Sequence, residues 1–105
     1  MTESVSHSRA KNKAAGKDGQ TEVPLSRNRR LDALSSGGRA TEVERSGNLD
    51  NLSKAALRLK ASGAPRKILQ VPEKDMKTAV AAMRKAGVSG TVKNLGGTKN
   101  RSVRP

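Results

Sequence analysis

Nine acidic residues stand against 22 lysines and arginines in this chain, and the acids are not evenly spread. Five of them, Glu22, Asp32, Glu42, Glu44 and Asp50, fall between residues 22 and 50. Carboxylates gathered in one place can hold hard divalent cations through oxygen. One member of such a group can also take a proton from water when neighbouring charge shifts its pKa. Held about 5 Å apart, two of them repel by about 3 kcal/mol at an effective dielectric of about 20. A divalent metal, a nearby arginine or plain exposure to water must offset that repulsion. His7, the single histidine, lies in a polar stretch at the amino end and reads as a bystander.

The elements that would position these acids follow from the hydropathy period. TEVPL at 21–25 reads as a short strand stopped near Pro24, which cannot donate to a ladder. The polar turn RNRR leads to a second strand, RLDAL at 30–34, and SSGG marks a loop. In RATEVERS at 39–46, Ala40, Glu42 and Glu44 fall on one face, with Thr41 and Val43 on the other. The region therefore reads as an antiparallel meander, whose second hairpin places Asp32 about opposite Glu42.

NLDNLSKAALRLKASG at 48–63 has helical period, with Leu49, Leu52, Ala56 and Leu59 as the buried stripe. Asn48 or Ser46 caps its start, and Gly63 suits the left-handed residue after its last turn. RKILQVP at 66–72 is an apolar strand, and 73–87 is a second helix with Met76, Val80 and Met83 inward and Gly87 after its end. VSGTVKNL at 88–95 is a final strand, and 96–105 a basic tail. The fold class is α/β, a small mixed β-sheet with flanking helices in the order β-β-β-α-β-α-β. One domain spans 20–95, after a disordered basic N-terminal arm over 1–19 with a short helix near Arg9 to Ala15.

Composition narrows the chemistry. The chain has no Cys, Phe, Tyr or Trp, which excludes disulfides, thiolate metal sites, a cysteine nucleophile and aromatic platforms for stacking bases. A net charge of +13 over 105 residues points to a polyanion, nucleic acid (DNA or RNA) before an anionic membrane surface. No apolar run approaches the roughly 20 residues of a membrane span, and the amino end lacks a secretory h-region. A cytoplasmic protein without a membrane partner is expected.

The charge divides along the chain. Residues 21–52 carry five basic and five acidic groups, whereas 53–105 carry thirteen basic and two acidic. Arg30, Arg45, Lys54, Arg58, Arg66 and Lys67 are the candidate nucleic-acid contacts, with Lys54 and Arg58 four apart on an outer helix face. Acids on a solvated hairpin face, paired across strands with Arg30, Arg39 and Arg45, would give the same sequence.

At Asp32 in RLDAL and at Glu42-Val43-Glu44 the chain resembles the restriction-endonuclease-like, or PD-(D/E)XK, nuclease superfamily in an E-x-E variant of its motif. That signature is an acid on one strand, acid-x-lysine on the next strand of a hairpin, then a helix and a further strand. The resemblance covers roughly residues 20–72. It implies that Asp32 and Glu42 hold Mg²⁺ or Mn²⁺, and that Glu44, in the lysine's place, orients or deprotonates the attacking water. Glu22 would be the additional acid that many members supply from upstream. Arg45 or Lys67 would neutralise charge on the phosphorane, and Gln70 stands where some members place a polar site residue. The chain departs from the pattern in three ways: Leu31 replaces the motif's proline, no lysine follows Glu42, and no clear first helix precedes residue 20. A metal-dependent endonuclease is therefore expected, dimeric if it cuts both strands of a duplex. The alternative is a basic nucleic-acid-binding protein without catalysis.

Overall fold

The computed structural model describes residues 5–25 and 30–104. Six strands form one mixed sheet in sequence order: β1 (Gln20–Pro24), β2 (Arg30–Leu34), β3 (Arg39–Val43), β4 (Arg66–Val71), β5 (Gly90–Asn94) and β6 (Asn100–Val103). β1, β2 and β3 run as an antiparallel meander, β3, β4 and β5 are mutually parallel, and β6 returns antiparallel to β5. The helices are α1 (Val5–Ala15), α2 (Leu49–Ser62) and α3 (Met76–Ala86), the last entered through a 3₁₀ turn at Glu73–Asp75. The β-β-β-α-β-α-β order expected from periodicity is the order found. Of the RNRR turn, all but Arg30 lies outside the described residues.

α2 and α3 carry the chain between the parallel strands and pack on each other over one face of the sheet. Alternation sends Ala40, Leu69, Val71 and Val92 into the core beneath them, with Leu52, Leu59 and Met83 from the helices. Leu49, expected in that stripe, is 47% exposed, because it is the first residue of α2, before the helix has turned its apolar face to the sheet. The caps are as expected: the Asn48 side chain accepts from Asp50 N, and Gly63 and Gly87 close α2 and α3 with φ of 65° and 73°. Among the described residues no helix is long and apolar enough to cross a membrane.

Both ends of the chain are more ordered than composition suggests. Residues 5–15, read as part of a disordered arm, form α1, which packs against β1, β2 and β3. The last residues, read as a tail, supply β6, whose Val103 is buried in the core. Low hydrophobicity hid both, since each segment adds only a few apolar side chains to a surface built elsewhere.

The turn from α1 into β1 is tight. A Cβ added at Gly19 would sit 1.9 Å from Ala15 O and 2.6 Å from Leu34 O, so only glycine lets the helix fold back onto the sheet. Gly19→Ala should therefore release α1 without unfolding the rest. In hydrogen exchange, amides of residues 7–15 should lose protection while those of β3 to β5 keep theirs, and unchanged protection of α1 would contradict this docking.

Candidate active site

The strand registers bring three acids into one row. β1 and β2 pair Thr21 with Ala33 and Val23 with Leu31, which leaves Glu22 and Asp32 between those two pairs. β2 and β3 pair Ala33 with Thr41 and Leu34 with Ala40, which sets Asp32 opposite Glu42. Glu22, Asp32 and Glu42 are spaced by ten residues along the chain and lie on adjacent strands. Asp32 and Glu42 are interlocked: Asp32 N donates to Glu42 Oε2 at 2.7 Å, and Val43 N donates to Asp32 Oδ2 at 2.8 Å. Glu22 has φ of 52°, the one non-glycine residue in the left-handed region among those described. Such a conformation costs about 1–3 kcal/mol in a side-chain-bearing residue and gathers at functional sites.

Each acid of the row meets a nitrogen-bearing side chain. Lys11 Nζ, on a side chain only 6% exposed, bonds Glu22; His7 Nε2 lies 3.4 Å from Asp32 Oδ2; and Arg58 Nε bonds Glu42 Oε1. His7 and Lys11 are one helical turn apart on α1, so the helix presents both to the row at once. Glu42 is 1% exposed. Its burial first, and then the adjacent Asp32 carboxylate, push its pKa up to about 7, against the opposing pull of Arg58 and the Asp32 N–H.

The remaining candidates fall into two groups. Glu44 lies just past β3, where its N donates to Gln70 O, extending the parallel ladder, and its Oε1 accepts from Ser46 N at 2.9 Å. Among the described residues no three His, Asp or Glu side chains already converge as a metal ion's ligands do. Carboxylate oxygens are the donor type that hard divalent cations take, and Asp32 and Glu42 are the two carboxylates held together here. Arg30, Arg45, Lys54 and Arg66 are exposed. Arg66 reaches Gly37 O at 3.2 Å, and Lys67 Nζ reaches Ala64 O at 2.6 Å, bracing the start of β4.

Two positions differ from expectation. Arg58, placed by sequence on an outer helix face for phosphate contact, turns inward to Glu42, because a buried carboxylate draws the nearest long cationic side chain. Gln70 is buried and gives its amide to Asn94 O and Leu95 O at 3.0 and 3.1 Å, tying β4 to the end of β5. His7 and Lys11 went unread as site residues. Their i, i+4 spacing and the equal spacing of 22, 32 and 42 were the available signals.

Comparison with protein-family models, with curated proteins and with solved structures gives no match for this chain.

The raised pKa sets a direction for stability. The folded state holds the Glu42 proton more tightly than the unfolded chain, so the group's contribution is fully present below pH 4.5 and is lost as pH rises toward about 7. Glu42→Gln keeps an acceptor for Arg58 and Asp32 N without the charge. Its stability relative to wild type should therefore rise across that interval in urea unfolding, and a constant difference would contradict the assignment. Arg58→Leu should cost about 3–5 kcal/mol above pH 7 and less below it, as the carboxylate left behind takes up its proton.

Proposed function

We propose that this protein is a metal-dependent nuclease that hydrolyses phosphodiester bonds of DNA or RNA at the Glu22–Asp32–Glu42 row. The observation that carries this reading is geometric: Glu42, buried on β3, is interlocked with Asp32 on β2 through the Asp32 and Val43 main-chain N–H groups, which brings two carboxylates together. A further cation would relieve the repulsion between them. Asp32 and Glu42 would hold Mg²⁺ or Mn²⁺, with Glu22 on the neighbouring strand as a third carboxylate. Bound there, the ion would supply Lewis-acid polarisation of a phosphate oxygen and a more acidic water.

The chain's own groups have separate tasks in this reading. His7 fixes the orientation of Asp32, Lys11 that of Glu22, and Arg58 that of Glu42. Glu44, two residues beyond Glu42, is the group assigned to orient the attacking water. The exposed Arg30, Arg45, Lys54 and Arg66 would take backbone phosphates without reading bases. Two copies would serve a duplex, one for each strand.

A second reading, nucleic-acid binding without cleavage, is favoured by one observation. Both oxygens of Glu42 are already engaged, by Arg58 and by Asp32 N. The two readings part in a single assay. The nuclease should nick plasmid DNA or cut transfer RNA with Mg²⁺ or Mn²⁺, stop in EDTA, and fall to the metal-free level in Asp32→Asn and Glu42→Gln. Binding that ignores EDTA and both substitutions, with a steep salt dependence and no cleavage, would replace it with the second reading.

A further inference from the structure

A second feature lies on the sheet face opposite α2 and α3. Between α1 and strands β3, β4 and β5 is a cavity of about 150 Å³. Thr41, Ile68 and Gln70 line it from the strands, and Lys13, Arg39 and Lys93 bring three cationic side chains to it. None of these three is in an ion pair among the described residues. Thr41 is 2% exposed, and its Oγ1 is buried without a hydrogen-bond partner. A buried hydroxyl left unpaired costs about 1–3 kcal/mol, which a polar occupant of the cavity, water or an anion, would offset.

Size and charge restrict what the ligand can be. The volume equals about five waters at ~30 Å³ each and falls short of the 300–1,000 Å³ that drug-sized ligands occupy, so a small polyatomic anion fits where a whole nucleotide does not. Three cations and one hydroxyl donor suit a doubly charged tetrahedral oxyanion better than a carboxylate. We infer that this cavity is a phosphate-group site that seats a phosphate of the nucleic-acid strand. The inference rests on the nucleic-acid reading above for the source of that phosphate. It does not rest on metal binding, since none of the acids in the row lines the cavity.

The test is a titration of the ¹⁵N-labelled protein in EDTA, with inorganic phosphate and with a short single-stranded DNA carrying a terminal phosphate. Both probes should shift the amides of Thr41, Gln70 and Gly97, and the oligonucleotide should displace inorganic phosphate. Thr41→Val removes the hydroxyl and keeps the β-branched shape, so it should weaken phosphate binding about tenfold, with stability at or above wild type. Lys93→Glu should abolish the shifts. Absence of shifts at these amides with either probe, or equal binding by Thr41→Val and Lys93→Glu, would overturn the site. An oligonucleotide that fails to displace phosphate would overturn its assignment to a nucleic-acid strand. Loss of the nuclease reading would show separately, as undiminished binding here with no cleavage.

Discussion

A carboxylate buried in the middle of a sheet is the constraint on which the site's architecture depends. Glu42 is 1% exposed on β3, next to a second acid on β2. Left alone, the pair would cost several kcal/mol in desolvation and repulsion. The fold answers on three sides. Arg58 comes down from α2, the Asp32 main-chain N–H turns toward Glu42, and α1 crosses the meander with His7 and Lys11. The carboxylate nonetheless stays raised to about 7. A structure that only needed stability would have placed an apolar residue there, as it does at neighbouring Ala40 and Leu69.

The two faces of the sheet have different chemistry as a result. Beneath α2 and α3 lies an aliphatic core without one aromatic ring, built from Leu52, Leu59, Leu69, Val71, Met83 and Val92. Beneath α1 the strands present Arg39, Thr41, Gln70 and Lys93 around an open volume, which such a thin apolar composition had no side chains to fill. α1 thus takes part in both features, holding the acidic row with one set of residues and flanking the cationic cavity with another. The close turn at Gly19 fixes the helix where both can happen.

The net charge of +13 takes on a location in this arrangement. Read over the whole chain it says only that a polyanion is attractive. In the structure part of it is paired, since Lys11 and Arg58 meet Glu22 and Glu42, and Lys99 meets Glu73 at the surface. What faces outward is carried by residues such as Arg30, Arg45, Lys54 and Arg66. With no aromatic platform available, contact with nucleic acid would run through phosphates.

Much of this was written locally. Alternation in RATEV and RKILQV, the helical period from Leu49 to Ser62 and the glycines at 63 and 87 set the strands, helices and their order, because short-range sterics and the side-chain period act within a few residues. Asp32 opposite Glu42 was equally legible, since a short hairpin fixes its own register. Docking decided the remainder. Whether a polar helix such as α1 forms depends on a surface built by later strands, and β6 depends on β5 in the same way. The inward turn of Arg58, the burial of Gln70 and the meeting of His7 with Asp32 across 25 residues are set by charge and packing between distant segments, which no local pattern records.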